Sequence, residues 1–247
     1  MIKVVSFKIC PFVQRVTAIL EAKKIPYAVK YISLKDKPQW FLDIAPNGQV
    51  PVFITDSGAD SRAALFESDA IAEYLDEIAA PLEPELTAEQ RAIDRAWSYQ
   101  AAKHYLLQCS AMRSADAATL AERTEKLGKA FAKAEKQLAG GAHGKGAFFK
   151  GPFFKGDVIS NVDMAWLPLL HRAAIIEQHS CYDFLARFPR VKAWQKALLE
   201  TGLAEKSVAG DFEEVFTRFY LSEETYLGRG EDGAGMADEL SRAGSCC

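Results

Sequence analysis

The first third of the chain alternates between two kinds of apolar periodicity. Some segments have apolar residues in short runs or at every second position, as in a β-strand, and others have them at every third or fourth position, as in an α-helix. The predicted order is strand, helix, strand, helix, strand, strand, helix. These elements cover residues 2–7, 10–24, 27–32, 38–44, 50–54, 63–66 and 68–77. This order predicts a compact α/β domain over residues 1–78.

The pattern changes after this domain. Residues 79–86 contain two prolines and are typical of a linker, and only helical periodicity follows them. Ser160 is a predicted N-cap, with Asp163 at the third helical position, where it can complete a capping box. Helices are predicted at residues 87–112, 117–138, from 160 onward, 189–200 and 211–222. The sequence therefore predicts an all-helical domain over residues 87–227.

Two glycine-rich segments interrupt or follow these helices. Residues 140–156 contain Phe-Phe-Lys-Gly twice, and we expect the phenylalanines to pin this connection onto the core. The last segment is too poor in apolar residues to pack, so residues 228–247 are predicted to be a disordered tail.

Composition narrows the class of protein. Of the 247 residues, 49% are apolar and 26% are charged, which is typical of a globular protein with a core. The net charge of -3 gives no general attraction to nucleic acid or anionic membranes, so neither is an expected partner. The four histidines show no ligand spacing, so no metal site is predicted.

The sequence also bears on location. The amino terminus lacks a signal-peptide pattern, and no apolar stretch is long enough to span a bilayer. The five cysteines are odd in number and scattered, which argues against a disulfide framework and for a reducing compartment. We therefore expect a cytoplasmic protein without stable membrane association.

The most reactive candidate side chain is Cys10, at the junction between the first predicted strand and the first predicted helix. The first N–H groups of a helix lack partners and the helix dipole is positive there, so this position favours a thiolate and should lower the pKa of the thiol. Pro11 fits the first helical position, where no N–H is needed. The alternative is that Cys10 is a small buried apolar residue, as free cysteines usually are.

A Cys-x-x-Cys motif would have its second cysteine at position 13, and this chain has Val13 there. A mixed disulfide on Cys10 would therefore have no resolving thiol within the motif. Turnover would need a second thiol from solution, a role that glutathione can fill.

Five separate segments carry a resemblance. They are Cys10-Pro11-Phe12, residues 34–41, residues 47–52, Glu67-Ser68, and Ser160 with Asp163. Together they resemble the cytosolic glutathione transferases, and in particular the omega class, over about residues 1–225. The resemblance implies a thioredoxin-like amino-terminal domain followed by an all-helical domain. Chloride intracellular channel proteins are similar in this region and also have Cys-Pro-Phe, so they remain an alternative.

The resemblance implies a role for each matching position. Cys10 would be the catalytic nucleophile, and the main chain of Val50, beside a cis bond to Pro51, would pair with the cysteinyl part of glutathione. Contacts with glutathione are implied for Phe12, Lys37, Val50, Pro51, Glu67 and Ser68. An electrophile pocket is implied for a second group, for which core packing is the alternative: Trp97, Tyr105, Met112 and Trp166.

These observations predict a glutathione-dependent thiol transferase or reductase. Thiol transfer, dehydroascorbate reduction and removal of glutathione from conjugates are the candidate reactions that the resemblance implies. Glutathione is the expected co-substrate, a small electrophile or disulfide the second substrate, and a homodimer the expected assembly. Two alternatives stay open: a channel-like redox sensor that inserts into membranes, and a non-catalytic interaction module that keeps the transferase fold.

Overall fold

Both predicted parts of the chain are present in the structure. The computed structural model describes residues 1–55, 63–140 and 151–230. The first part holds seven elements: β1 (Ile2–Ser6), α1 (Pro11–Ala22), β2 (Tyr27–Tyr31), α2 (Gln39–Leu42), β3 (Val52–Ile54), β4 (Ala64–Phe66) and α3 (Ser68–Ile78). Their order is the predicted one, and their ends differ from the predicted ends by at most two residues.

The four strands form one sheet in the order β2-β1-β3-β4. β1 is parallel to β2, which requires a crossover connection, and α1 is that crossover. β3 is antiparallel to β1, with Val52 opposite Val5, and β4 is antiparallel to β3, with Phe66 opposite Val52. The end of β1, the start of β3 and the end of β4 therefore lie at the same end of the sheet.

Alternation along β1 divides the apolar contacts of the sheet between two layers. Val4 belongs to the large core that the sheet shares with α1 and the helical part. Val5 belongs to a smaller cluster with Phe41 of α2 and with Val52. Because successive side chains of a strand point to opposite faces, α1 and α2 cover opposite faces of the sheet.

In the second part of the chain, helices are the only regular secondary structure among the described residues. It holds α4 (Ala88–Met112), α5 (Ala117–Leu138), α6 (Asn161–Ser180), α7 (Pro189–Glu200), α8 (Leu203–Lys206), α9 (Phe212–Tyr220) and α10 (Tyr226–Arg229). The five predicted helices are present. The sequence pattern does not predict α8 and α10, each of a single helical turn, whereas α2, of the same length, lies within the predicted segment 38–44.

The prediction of a disordered tail from residue 228 onward is wrong for its first residues. α10 continues to Arg229, and the Thr225 hydroxyl caps it by accepting a hydrogen bond from the Gly228 N–H at 3.1 Å. Residues 231–247, the rest of the predicted tail, lie outside the described residues. Residues 141–150 of the glycine-rich connection also lie outside them.

A capping box starts α6, as predicted. The Ser160 hydroxyl accepts a hydrogen bond from the Asp163 N–H, and Asp163 Oδ2 accepts one from the Ser160 N–H at 2.8 Å. Asp163 Oδ1 accepts two more, from Trp194 Nε1 at 2.7 Å and from the Phe154 N–H at 2.9 Å. Burial raises the pKa of this carboxyl, and hydrogen bonds from these three donors and from the Ser160 hydroxyl lower it. One buried carboxylate thus joins α6 to α7 and to the segment that precedes α6.

The expected pinning of the glycine-rich connection is confirmed for Phe154. Its side chain is buried, with its ring centroid 5.1 Å from that of Trp97 and 5.0 Å from that of Trp194. Aromatic pairs at these separations stabilise a core beyond the area they bury. The end of this connection is therefore part of the core of the helical part.

Candidate active site

Cys10 is the N-cap of α1. Its backbone is extended, with φ -77° and ψ 122°, and its N–H donates to the Phe7 carbonyl at 3.0 Å. Its own carbonyl accepts from the Gln14 N–H at 3.2 Å, which closes the first helical turn. Pro11 takes the first helical position, as predicted. The thiol is half-buried and unbridged.

The predicted lowering of the Cys10 pKa is wrong in this structure, where burial raises the pKa to about 11. The backbone N–H groups of Val13 and Phe12 lower it, as expected for a helix start, and so does the Arg172 guanidinium. Desolvation outweighs them, because α4 and α6 pack against the first turn of α1. The sequence pattern locates the helix start but does not show how much protein surrounds it.

The space beside the thiol is small. Cys10, Lys8 and Tyr31 line a cavity of about 30 Å³, together with residues 207–209. Lys8 forms an ion pair with Asp211 at this cavity, and its Nζ lies 5.9 Å from the centroid of the Tyr31 ring. Larger grooves, of about 690 and 600 Å³, lie at the far end of α1 and along α7, away from Cys10.

The remaining candidate residues emerge from the same end of the sheet as Cys10. The Val50–Pro51 bond, just before β3, is cis, as the resemblance implies. Glu67 and Ser68 follow directly after β4, and Ser68 is buried at the first position of α3. Because β1 ends where β3 begins and β4 ends, the register itself brings these segments together.

Two contacts tie this group to the loop before β3. Asn47 Nδ2 donates to Glu67 Oε1 at 3.3 Å. Lys37 is half-buried, and its Nζ lies 3.7 Å from the position that a Cβ would take at Gly48. Gly48 has φ +57°, a conformation that side chains other than glycine rarely adopt. The Lys37 amino group and the Glu67 carboxylate therefore both lie beside the loop that leads to Val50 and Pro51.

Three of the four implied electrophile-pocket residues are buried, and the fourth, Trp97, is half-buried. Tyr105, Met112 and Trp166 have no exposed side-chain area, and Trp166 Nε1 donates to the Trp97 carbonyl at 3.1 Å. Tyr105 donates to the Ala165 carbonyl, and its ring contacts that of Phe12 at 5.0 Å. Side chains without exposed area cannot contact a small molecule in this conformation. The core-packing alternative therefore describes Tyr105, Met112 and Trp166 better. The Tyr105 ring packs against the Phe12 ring.

A buried polar network lies behind the first turn of α1, and the sequence pattern gave no signal for it. Gln14 Nε2 lies 2.8 Å from His171 Nδ1, and Gln14 Oε1 accepts from the guanidinium of Arg172. His171 and Arg172 fall in an otherwise apolar run of α6, where the pattern predicts only core. The His171 ring stacks on Phe212, with centroids 5.3 Å apart.

His171 should make the protein less stable in acid. Burial, with a smaller contribution from the charge of Arg172, lowers its pKa to about 3. The folded protein therefore keeps this ring neutral, while the unfolded chain takes up a proton below about pH 6.5. The stability that the neutral ring contributes is complete above about pH 6.5 and is lost as the pH falls towards 3. His171→Gln removes this titration and keeps an acceptor for Gln14. Urea unfolding of both proteins should show that the wild type loses about 1.5 kcal/mol more than the variant between about pH 6.5 and 5. Equal losses would contradict the assignment.

The described residues contain neither a cluster of metal ligands nor a membrane-spanning helix. In residues 1–55, 63–140 and 151–230, no three histidine, cysteine, aspartate or glutamate side chains are grouped as metal ligands. No helix in the same ranges has the length and apolar content needed to cross a bilayer.

Comparison with known proteins identifies the family. The model of the glutathione S-transferase amino-terminal domain matches residues 9–78, and that of the carboxy-terminal domain matches residues 117–197. Glutathione S-transferase omega-1 of Sus scrofa is 31% identical over 202 residues, which cover 81% of this chain and 77% of that protein. Probable glutathione S-transferase DHAR1, cytosolic, of Oryza sativa subsp. japonica is 47% identical over 68 residues, 28% of this chain and 30% of that protein.

Solved structures agree on the fold. Glutathione transferase Omega 3C from Trametes versicolor matches with a TM-score of 0.69 at 24% identity, over 90% of this chain and 91% of that one. Since both domain models match in the expected order and a relative aligns along most of both chains, this protein belongs to the glutathione S-transferase family and is similar to its omega class.

Proposed function

We propose that this transferase is a glutathione-dependent thiol transferase or reductase with Cys10 as its nucleophile. The observation that carries the proposal is the position of Cys10. It is the N-cap of α1, where the N–H groups of Val13 and Phe12 lower the pKa of its thiol, and Val13 stands in place of a resolving cysteine. A serine or tyrosine hydroxyl could only activate glutathione, whereas a thiol can form a disulfide with it.

The reaction follows from thiol–disulfide exchange. The Cys10 thiolate attacks the glutathione sulfur of a mixed disulfide, a new S–S bond forms between them, and the other thiol leaves as a thiolate that takes up a proton. A second glutathione, as its thiolate, attacks this protein disulfide. Glutathione disulfide leaves, and the sulfur of Cys10 is restored in its reduced form. Each cycle consumes one free glutathione, reduces one mixed disulfide to its thiol and releases one glutathione disulfide, half of which comes from the substrate.

Glutathione would bind along the end of the sheet that carries Cys10. In this proposal, the main chain of Val50, next to Pro51, pairs with the cysteinyl residue, and Glu67 and Ser68 hold the γ-glutamyl group. Ser68 at the start of α3 offers helix N–H groups to the carboxylate, and Glu67 is placed for the ammonium. Lys37 would meet the glycine carboxylate, and Phe12 would wall the site.

The assembly and location belong to the same proposal. We expect a cytoplasmic homodimer, because glutathione is available as a reductant there and because large apolar side chains are exposed on both parts of the chain. Phe66 and Ile78 of the first part and Ile93 and Leu106 of the second are between 42% and 66% exposed. A dimer interface that covered these four side chains would remove them from water.

Two assays on the same preparation test the proposed reaction. Glutathione-dependent reduction of hydroxyethyl disulfide should be rapid, whereas conjugation of glutathione to chlorodinitrobenzene should be slow, since the Cys10 thiol tends to form a disulfide with glutathione. Rapid conjugation that survives Cys10→Ser, with no disulfide reduction, would overturn the proposal.

One observation favours the non-catalytic alternative, namely the burial that raises the pKa of Cys10 to about 11. A protein that only keeps the fold has no need for an ionised thiol. Calorimetric titration with glutathione separates the two, because an interaction module without a working site should not bind glutathione, and the proposed enzyme should.

A further inference from the structure

Arg172 is a buried cation bonded only to neutral groups. Its side chain has no exposed area, and its Nη1 donates to the Pro168 carbonyl at 3.0 Å and to Gln14 Oε1. Its Nη2 donates to the carbonyl of Ile9 at 3.2 Å, and its Nε has no hydrogen-bond partner. None of the ion pairs formed by the described residues includes Arg172.

A cation in this setting is costly. Moving a charge out of water costs several kcal/mol unless an opposite charge compensates it, and guanidinium groups inside proteins are normally paired with carboxylates. Burial accordingly lowers the pKa of Arg172. The rings of Phe212 and Phe216, with centroids 5.3 and 6.0 Å away, offer only a weaker attraction to the cation.

The groups that could become the missing anion are few. Four ionisable groups interact electrostatically with Arg172: in order of strength, the Cys109 thiol on α4, the Tyr220 phenol on α9, the Cys10 thiol at the start of α1 and the Tyr105 phenol on α4. Burial raises the pKa of both phenols, so they stay neutral. The neighbouring His171 is also neutral at physiological pH. Two carboxylates near α1 already have cationic partners: Asp211 pairs with Lys8, and Asp69 pairs with Arg15.

Of the two thiols, the structure favours Cys10. The guanidinium is bonded to the carbonyl of Ile9, the residue before it, and Gln14, one turn later on α1, holds the other end of the guanidinium. Cys10 also lies at the start of α1, where the helix dipole favours a thiolate, whereas Cys109 lies within α4.

We propose that Arg172 is a positioning residue whose buried guanidinium is the counter-ion of the Cys10 thiolate, an inference that rests on the proposed role of Cys10 as nucleophile. Ionisation of Cys10 would then complete a buried ion pair across the junction of α1 and α6. Arg172 would keep its positive charge when a substrate binds beside Cys10. The guanidinium would therefore stabilise the Cys10 thiolate before each attack by the sulfur.

The test compares Arg172→Lys with Arg172→Met. Both lose the forked hydrogen bonds of the guanidinium, but only lysine keeps the positive charge. The readout is the rate of iodoacetamide modification at Cys10, followed by peptide mass mapping as a function of pH and without glutathione. Arg172→Met should slow the modification at neutral pH by about tenfold or more, which corresponds to a rise of one unit in the thiol pKa. Arg172→Lys should recover most of the rate.

A purely structural role for Arg172 predicts another result. The two variants would then lose the same thermal stability, and both would leave the pH profile of Cys10 where it is in the wild type. That outcome overturns the proposal, as does slower modification of Cys109 with no change at Cys10. The titration uses no glutathione, so it is independent of whether the protein binds glutathione or reduces disulfides.

Gln14→Glu provides a second variant in case the substitutions of Arg172 do not fold. It leaves Arg172 in place but sets a carboxylate against Nη1, so the guanidinium already has an anion. Cys10 should again react about tenfold more slowly at neutral pH. Wild-type reactivity in a folded Gln14→Glu protein overturns the proposal.

Discussion

Cys10→Ser is expected to reduce glutathione-dependent disulfide reduction by on the order of a thousandfold or more. The hydroxyl keeps the size of the side chain and its place at the start of α1, but it cannot form a disulfide with glutathione. The loss should appear in the turnover rate, measured with hydroxyethyl disulfide at saturating glutathione. The fold should persist, because serine is one of the preferred N-cap residues of helices.

Cys109→Ser is the matched control. Cys109 is the other unbridged cysteine among the described residues, half-buried on α4, and lies outside any helix start. This variant should keep most of the activity. If Cys10→Ser stayed active while Cys109→Ser did not, the assignment of the nucleophile would be wrong.

Asp163→Ala is expected to cost about 3 kcal/mol or more of unfolding free energy. The change leaves three buried donors without their acceptor: the N–H groups of Ser160 and Phe154 and Nε1 of Trp194. Each such donor costs about 1–3 kcal/mol when it cannot reach water. Urea denaturation at neutral pH gives the difference directly.

Asp116→Ala shows what a cap alone contributes. Asp116 is the exposed N-cap of α5, and its carboxylate accepts from the Thr119 N–H at 2.8 Å. Water can replace that contact, so the loss should be about 1 kcal/mol. Equal losses in the two variants would contradict the claim that the buried contacts of Asp163 dominate its effect.

The order of the secondary-structure elements could be predicted because the signals are local. Periodicity over five or more residues distinguishes strand from helix, and Ser160 with Asp163 marks the start of α6. The short helices α8 and α10 are not predicted, since a single turn gives at most a weak periodic signal. α10 forms because Thr225 caps it, a contact that a glycine-rich composition does not indicate.

The candidate site was only partly predictable, because it depends on contacts between distant segments. The helix start at Cys10 is local, and the register of β1, β3 and β4 then brings Pro51 and Glu67 to the same end of the sheet. The pKa of the thiol depends on the enclosure by α4 and α6, which no local pattern records. Arg172 is hidden for the same reason, since a single charge in an apolar helix gives no sign of what it faces.

Intact mass after exposure to glutathione disulfide tests the central claim most directly. The reduced protein and Cys10→Ala are each incubated with the disulfide, and their masses are compared under non-reducing conditions. The account predicts that the wild type gains one glutathionyl group, that added glutathione removes it, and that Cys10→Ala lacks it. A wild type that gains no glutathionyl group, or a Cys10→Ala protein that gains the same one, would contradict the account.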